Sequence, residues 1–352
     1  MEDRHGGNIY DYGENTIAAD FSASINPMGM PESARLALAA CAEACEAYPD
    51  PECRELIKAI SSIEGVPERN IVCGNGASQL ISLAVRARKP RRALLTAPSF
   101  LEYERALLNE GASCASHTLS PDDGFTLTES YLEDLSDDID MVFLCSPNNP
   151  TGQLVRPSLM EQIHDKCIKN GTLMVVDECF LELTGLDGQY TMRGRLSMGN
   201  LLIIKALTKT YAMPGLRAGY ALCGSEKMAD LLRSVQEPWS VSVPAQIAGA
   251  AALKEEGYIK RSAELIASER EYLIEALSSF PVRVIGASAN FIFFYSEMPR
   301  LKERLLSEGI LIRDCSSFKG LGPGYYRIAV RPRRENDLFI MALYRISGGI
   351  DG

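Results

Sequence analysis

Short apolar runs alternate with amphipathic stretches between about residues 55 and 235. Seven of these runs have the length and the β-branched content of buried strands: NIVCG (70–74), RALLTA (92–97), SCASHTL (113–119), DMVFLCS (140–146), TLMVVD (172–177), NLLIIK (200–205) and GYALCG (219–224). Between several of them, stretches such as SLMEQIHDKCIKN (158–170) place apolar residues at helical spacing. This alternation predicts an α/β fold with a mostly parallel seven-stranded sheet covered by helices on both faces.

The pattern changes after about residue 240. A long helical stretch over 243–279 is broken near Gly257. Four strand-like runs lie at 282–286, 289–295, 310–314 and 325–331, and two further helical stretches lie at 299–308 and 335–346. We predict three parts: an N-terminal arm over 1–40 that packs with the small domain, a large domain over 41–240, and a smaller α+β domain over 241–352. A ligand cleft between two such domains, at the carboxyl ends of the parallel strands, is then the expected place for a functional site.

Composition limits the classes of function. With 46% hydrophobic and 23% charged residues in 352, the chain can bury a large core, and its net charge of −10 argues against a general nucleic-acid surface while leaving room for a local basic pocket. No apolar run approaches the length of a membrane span, and the polar first residues do not resemble a signal peptide. Ten cysteines without a C-x-x-C pair predict reduced thiols in a cytoplasmic protein, and three histidines without a Cys/His cluster argue against a metal enzyme.

Polar and aromatic residues follow successive strands of the predicted sheet. Each has an ordinary explanation when taken alone: a helix cap, a turn residue, or a core aromatic. Taken together they suit a cationic pyridine ring with a phosphate tail and an aldehyde, because they offer a phosphate loop, an aromatic face, an amide donor, a carboxylate and a lysine. In chain order they are Gly76, Ala77, Ser78, Phe100, Asn149, Asp177, Lys209 and Arg217. The sequence therefore predicts a pyridoxal 5′-phosphate (PLP) site.

The motifs GNG, P-x-F, NNPTG, DE-x-F and T-K-x-x-x-x-P-G-L-R occur in this order along the chain. The set resembles the fold-type I PLP-dependent enzymes of the aminotransferase superfamily. The resemblance implies that Lys209 is the catalytic lysine that bonds to the cofactor aldehyde, and that Arg217 binds the cofactor phosphate together with the loop at Gly76, Ala77 and Ser78. It also implies that Asp177 pairs with the pyridine nitrogen and that Asn149 donates to the ring hydroxyl.

Two positions depart from the pattern of that superfamily. Ala206 stands where a phosphate-binding serine is common, and Phe180 stands where a second donor to the ring hydroxyl, a tyrosine, is frequent. The loss of one charge-assisted hydrogen bond costs about 1.5–3 kcal/mol. Thr208 or a water molecule is the candidate to replace the missing serine hydroxyl.

The N-terminal segments HGGNIYDYG (5–13) and DFSASINPMGMP (20–31) are similar to the threonine-phosphate decarboxylases of cobalamin biosynthesis. The similarity continues through AYPDP (47–51), EPWSV (237–241), LIRDC and YYRIAVR, so it covers nearly the whole chain. Histidinol-phosphate aminotransferases share the large-domain motifs and a stretch like AYPDP, but they usually lack the His-Gly-Gly-Asn arm.

This resemblance implies a phosphorylated amino acid as the substrate. Arg327 corresponds to the carboxylate-binding arginine of the family, and Arg313, with His5, is the candidate for the substrate phosphate, since arginine suits both groups. For either arginine the alternative is a salt bridge at a strand edge. The expected substrate-binding residues are His5, Gly6, Ser24, Asn149, Arg313 and Arg327. Because Ser24 replaces an asparagine of the decarboxylase pattern, the preferred phospho- or phosphono-amino acid stays open.

Tyr48, in the AYPDP turn, resembles a tyrosine that reaches the cofactor phosphate of the neighbouring subunit, which implies a homodimer. The resemblance as a whole implies decarboxylation of L-threonine O-3-phosphate to (R)-1-amino-2-propanol phosphate and CO₂. Two alternatives are an aminotransferase, above all for histidinol phosphate, and a non-catalytic PLP-fold binding protein.

Overall fold

The computed structural model describes residues 6–13 and 16–348. The strands within this part of the chain are β1 (Ala19–Asp20), β2 (Ile71–Gly74), β3 (Arg92–Ala97), β4 (Ser113–Thr118), β5 (Met141–Cys145), β6 (Leu173–Asp177), β7 (Leu201–Ala206), β8 (Gly219–Cys223), β9 (Val282–Gly286), β10 (Phe291–Ser296), β11 (Ile310–Leu311), β12 (Arg313–Asp314) and β13 (Tyr325–Ala329).

The α-helices in the same residues are α1 (Glu32–Ala39), α2 (Arg54–Glu64), α3 (Gly76–Arg88), α4 (Leu101–Asn109), α5 (Tyr131–Asp134), α6 (Pro157–Asn170), α7 (Asp187–Tyr190), α8 (Leu207–Thr210), α9 (Glu226–Ser234), α10 (Val243–Leu253), α11 (Tyr258–Leu277), α12 (Leu301–Ser307) and α13 (Arg333–Ile346). None of the helices in 6–13 and 16–348 combines the length and the apolar character that a membrane crossing requires.

All seven predicted strands of the large sheet are present. They lie in the order β2-β8-β7-β6-β5-β3-β4, and β8 runs antiparallel to both of its neighbours while the other neighbouring pairs are parallel. Every residue of the strands β5 to β8 is buried, which explains why their sequences are almost continuously apolar. The predicted α/β class with a mostly parallel seven-stranded sheet is therefore confirmed.

The sheet has an apolar core on each face. Val142 and Leu144 of β5 pack on one face with residues of α2 and α6, whereas Phe143 of the same strand packs on the other face with residues of α3, α4 and α9. Successive side chains of a strand point to opposite faces, so β5 contributes to both cores. The two layers hold the strand ends in fixed positions, and the polar residues that follow those ends are fixed with them.

A second sheet, of order β12-β13-β10-β9, is antiparallel throughout. The predicted strand over 310–314 is divided at Ile312: β11 pairs in parallel with β1 of the N-terminal segment, and β12 pairs with β13. The backbone N–H of Phe21 donates to the carbonyl of Leu311 at 2.8 Å, which continues the pairing of β1 with β11. Local apolar pattern cannot show this division, because the partner strand lies almost 300 residues away.

The predicted limits of the arm and of the two domains stay a prediction. Phe21 shares an apolar cluster with residues of α11 and α13, so the segment around β1 packs against the C-terminal part of the chain. In contrast, α10 shares the core of α2, since Ala245 and Ala248 lie in one cluster with Leu56. The break predicted near Gly257 is present: α10 ends at Leu253, and Gly257, with φ of +70°, precedes α11.

Candidate active site

A cavity of about 210 Å³ lies at the carboxyl ends of β5, β6 and β7. Cys145, Asp177 and Ala206, the last residues of these three strands, belong to its lining. Twelve residues that the sequence singled out meet here: Gly6, Ser24, Ala77, Ser78, Phe100, Asn149, Asp177, Thr208, Lys209, Arg217, Arg313 and Arg327. This is the position expected for a ligand in a sheet of this topology.

Lys209 lies in α8, the single helical turn that follows β7. Burial, followed by the positive charge of Arg327, lowers the pKa of its amino group to about 8. At near-neutral pH a larger share of this amine is therefore neutral than for an ordinary lysine. The neutral form is the one that bonds to an aldehyde.

The carboxylate of Asp177 at the end of β6 is held by two donors. The backbone N–H of Cys179 donates to Oδ1 at 3.0 Å, and the hydroxyl of Tyr103 donates to Oδ2 at 2.6 Å. Burial, and then the charge of Asp177, raise the pKa of Tyr103 well above its ordinary value, so its hydroxyl keeps the proton and acts as the donor. The carboxylate thus has a fixed orientation at the edge of the cavity.

The first turn of α3 and Arg217 form an anion-binding corner. Gly76 begins α3 with φ of +74°, and a Cβ at this residue would lie 2.7 Å from Nη2 of Arg217. Arg217 has φ of +59°, and its Nη1 donates to the carbonyl of Pro214 at 3.2 Å. The guanidinium therefore lies against the helix N-terminus, where backbone N–H groups favour an anion. Ser78 and Thr208 line the same cavity and can add hydroxyl donors.

Asn149 connects this region to Arg327. Nη1 of Arg327 donates to Oδ1 of Asn149, which leaves the amide nitrogen of Asn149 as the group that can donate into the cavity. The other terminal nitrogen of Arg327, Nη2, donates to the carbonyl of Ser22 at 3.1 Å. One arginine thus joins the strand β13, the loop after β5 and the N-terminal segment.

Arg313 and Arg327 face each other in register across β12 and β13, and both are buried. The guanidinium of Arg313 lies over the ring of Phe318 at 5.4 Å, and that of Arg327 lies over Phe291 at 5.2 Å. Burial lowers the pKa of Arg327 to about 10, and the charge of Arg313 acts in the same direction. Arg327 is still charged at neutral pH, so two cations stand side by side at the cavity.

The residues present fit PLP. The missing Cβ of Gly76 makes room for a guanidinium at the helix N-terminus, and the same cavity presents a carboxylate, an amine and the aromatic side chain of Phe100. Both departures from the superfamily pattern line this cavity: Ala206 adds no hydroxyl, and Phe180 packs edge-on against Phe291 at 5.1 Å. Neither change removes a charged side chain from the cavity, so the residues that would hold the ring nitrogen, the aldehyde and the phosphate of the cofactor are all present.

Two of the predicted site residues that the structure describes do not line this cavity. Gly76 lies behind it, against Arg217. Tyr48 is 80% exposed and stacks on Trp239 with ring centroids 4.7 Å apart, in another part of the chain. His5 lies outside the described residues, so its role stays a prediction.

Sequence reasoning missed two residues of the site. Tyr103 follows Phe100 by three positions, the spacing that brings side chains together at the start of a helix, but that spacing does not reveal a bond to Asp177. Ser22 accepts a hydrogen bond from Arg327 at its carbonyl, and its Oγ accepts one from the N–H of Gly7 at 2.7 Å. A Cβ at Gly6 would lie 2.0 Å from the carbonyl oxygen of Ser22, so only glycine permits this approach.

Within 6–13 and 16–348, the His, Cys, Asp and Glu residues form no group of three that could hold a metal ion.

The fold and the cavity together define a fold-type I PLP enzyme, with PLP as its cofactor. The model of a family described as "Aminotransferase class I and II" matches residues 16–343, and the chain belongs to this family.

Curated relatives carry two different activities in their names. A threonine-phosphate decarboxylase of Salmonella typhimurium is 35% identical, with 98% of this chain and 97% of that protein covered. Histidinol-phosphate aminotransferase 1 of Cupriavidus pinatubonensis is 33% identical, with 91% and 86% covered. Among solved structures, the histidinol-phosphate aminotransferase of Clostridium acetobutylicum has a TM-score of 0.87 at 31% identity and covers 93% of this chain and 98% of that chain.

Proposed function

We propose that this chain decarboxylates L-threonine O-3-phosphate to (R)-1-amino-2-propanol phosphate and CO₂ in cobalamin biosynthesis. The observation that carries the proposal is the similarity to a threonine-phosphate decarboxylase over 98% of the chain, and the charge of the cavity agrees with it. The charged lining residues of the cavity in the described chain are one carboxylate and four cations: Asp177, Lys209, Arg217, Arg313 and Arg327. With Asp177 and Arg217 assigned to the cofactor, two arginines remain for a ligand that carries two anionic groups.

Each arginine has a proposed task. Arg327 binds the substrate carboxylate, and Arg313 binds the phosphate, joined by His5 and the N-terminal segment at Gly6 and Ser24. The bonds of Arg327 to Asn149 and Ser22 fix its guanidinium, so the substrate is held in one orientation about Cα. That orientation determines which bond to Cα is broken.

When bound, PLP supplies a protonated ring that accepts the electron pair of the broken bond. In the proposed reaction the bond from Cα to the carboxylate carbon breaks, CO₂ leaves, and one proton takes its place at Cα. Asp177 holds a negative charge beside the ring nitrogen, and Lys209, with a pKa of about 8, holds a proton at Nζ that it can deliver to Cα.

The similarity to a threonine-phosphate decarboxylase over 98% of the chain supports this substrate. Transamination of histidinol phosphate is the second candidate, and the likeness to the aminotransferase of Clostridium acetobutylicum favours it. Both substrates carry a phosphate, and the 2-oxoglutarate needed for transamination brings carboxylates that Arg327 could also bind, so the cavity charge alone does not separate the two activities.

Two parallel incubations separate the two activities. The PLP-loaded protein is given phosphothreonine in one arm, and histidinol phosphate with 2-oxoglutarate in the other. We expect CO₂ and aminopropanol phosphate from the first arm without formation of a 2-oxo acid, and no turnover in the second. Glutamate formation from the second arm with an inert first arm would establish the aminotransferase instead. Lys209→Ala serves as the control that should abolish either reaction.

We also propose a cytoplasmic homodimer in which Tyr48 of one copy reaches the cofactor phosphate of the other. The high exposure of Tyr48 and its absence from the lining of the cavity in its own chain support this arrangement, because a side chain that serves a neighbouring site must be available at the surface.

A further inference from the structure

We propose that Tyr103 is a positioning residue that sets the orientation of both Asp177 and Phe100. It lies in α4, is 1% exposed and is not part of the cavity lining. The inference rests on the proposed roles of Asp177 at the ring nitrogen and of Phe100 on the ring face. It does not depend on which substrate the enzyme uses.

The hydroxyl of Tyr103 forms the shortest contact that Asp177 makes with a side chain in the described residues, at 2.6 Å to Oδ2. With the N–H of Cys179 on Oδ1, this bond fixes the plane of the carboxylate. A carboxylate with one oxygen released can rotate away from the direction in which the ring nitrogen must lie. The Tyr103 bond therefore keeps the negative charge pointed at the cofactor.

The ring of Tyr103 makes a second contact, of a different kind, with Phe100. The two rings meet edge to face, with centroids 5.5 Å apart and planes at 80°. On its other side Tyr103 stacks on Phe143 of β5, at 4.9 Å and 10°. Because Phe143 is buried in the sheet core, it fixes the Tyr103 ring, and that ring in turn limits the positions open to Phe100.

One side chain thus links a core strand to Asp177 and Phe100, the two residues that would hold the ring nitrogen and the ring face of the cofactor. Since Tyr103 does not reach the cavity, its loss should leave substrate contacts in place and disturb the cofactor. We expect Tyr103→Phe to weaken PLP binding about tenfold and to lower kcat about tenfold, while KM changes less than twofold; such effects are typical of residues that orient a directly bound group.

Tyr220→Phe is the matched control. The Tyr220 hydroxyl also donates to a buried carboxylate at 2.6 Å, that of Glu64, and Tyr220 does not line the cavity. Both variants lose a bond of the same length and type, so both should lose stability on thermal unfolding. Only Tyr103→Phe should change the PLP dissociation constant, which is measured by titrating the apoprotein with PLP and needs no substrate.

The outcomes are distinct. If Tyr103→Phe loses stability as Tyr220→Phe does but keeps the PLP affinity and kcat of the parent protein, the inference is wrong. Asp177→Ala tests the assumption beneath it: unchanged PLP affinity and activity in that variant would remove the role of Asp177, whatever Tyr103→Phe shows. If the proposed decarboxylation fails, the PLP affinities of Tyr103→Phe and Asp177→Ala can still be interpreted, because titration with PLP measures cofactor binding alone.

Should Tyr103→Phe not fold, 3,5-difluorotyrosine at residue 103 keeps the ring and the hydrogen bond. Its more acidic hydroxyl withdraws charge from Asp177, so the positively charged acid form of the bound cofactor becomes less stable. We then expect the pH midpoint of the visible absorbance change of the bound cofactor to move to lower pH. The same replacement at Tyr220 should leave the midpoint in place; equal midpoints for the two proteins would overturn the inference.

Discussion

At the scale of single residues, two features of the structure require glycine at position 76. Its φ of +74° is a backbone conformation that L side chains rarely adopt, and an added Cβ would lie 2.7 Å from Nη2 of Arg217. The first feature concerns the stability of the chain. The second concerns the guanidinium proposed to bind the cofactor phosphate.

Gly76→Ala should therefore lower stability and PLP affinity together. We expect a loss of about 1 kcal/mol in the free energy of unfolding from the backbone strain. We also expect a dissociation constant for PLP raised about 10- to 100-fold, because Arg217 must move away from the helix N-terminus. Both are measured on the apoprotein, by urea unfolding and by PLP titration.

Gly171→Ala is the control for this prediction. Gly171 has φ of +72° at the end of α6, and a Cβ there would meet no atom within 4 Å. It should show the stability loss without the loss of affinity. Equal PLP affinity in the two variants would mean that Arg217 does not need the space at Gly76.

Single residues also show how much of the candidate site can be predicted from the sequence. The residue types of the PLP motifs predicted Lys209, Asp177, Asn149 and Arg217 as a set, and these side chains do meet in one cavity. Tyr103 escaped prediction because a tyrosine near a strand end has no distinctive neighbours in sequence, and its bond to Asp177 spans 74 residues. The roles of the cavity residues stay predictions.

At the scale of elements, β7 and the helical turn α8 that follows it each carry a lysine, and the two lysines have opposite surroundings. Lys205 faces away from the cavity and pairs with Glu64 of α2 at 2.7 Å and with Glu182 at 2.9 Å. Burial would lower the pKa of Lys205, but the charges of Glu182, Glu64 and Glu178 outweigh it and raise the pKa above its ordinary value. The pKa of Lys209, four residues later, is lowered first by burial and then by the positive charges of Arg327 and Arg217, and the carboxylate of Asp177 only partly offsets them.

Lys205→Met should cost about 3 kcal/mol in the free energy of unfolding, because it removes the buried cation that Glu64 and the partly buried Glu182 share and leaves Glu64 with Arg193 alone. Urea unfolding of the apoprotein measures this loss. Adding Glu64→Gln should recover part of it. Arg54→Met, which removes an exposed partner of Asp50 and Glu52, should change stability by less than about 1 kcal/mol. A loss from Lys205→Met as small as that from Arg54→Met would contradict the prediction.

Elements were predicted well where periodicity is local and poorly where pairing decides. The seven strands of the large sheet follow from apolar runs, since a strand buried on both faces needs apolar residues throughout. The reversed direction of β8 and the division of 310–314 into β11 and β12 depend on distant partners. A periodic pattern contains no information about strand direction.

At the scale of the whole molecule, we predict that each active site of the proposed dimer contains residues of both subunits. If Tyr48 acts in the partner subunit, mixing Tyr48→Phe protein with Lys209→Ala protein should form mixed dimers with one intact site. After subunit exchange, activity should rise to about a quarter of that of the parent protein, because half of the dimers are mixed and each has one of two sites intact. The measurement is activity after mixing, with exchange confirmed by differently tagged chains.

A control pair uses two residues that lie in the same cavity. Mixing Asp177→Ala with Lys209→Ala leaves each site of a mixed dimer with one defect, so activity should not return. No recovery in the Tyr48 pair despite exchange would show that Tyr48 serves its own chain or no site at all. Recovery in the control pair would show that mixing restores activity without a shared tyrosine.

The facing arginines of β12 and β13 have a consequence beyond recognition. Two like charges directly opposite each other weaken a pair of strands, and Arg313 and Arg327 occupy such positions. A ligand that brings anions between them changes this repulsion into attraction, and binding to the folded state alone adds to its stability. If the proposed substrate is such a ligand, its supply should protect the folded protein against unfolding, and less protein should stay folded when the substrate runs out.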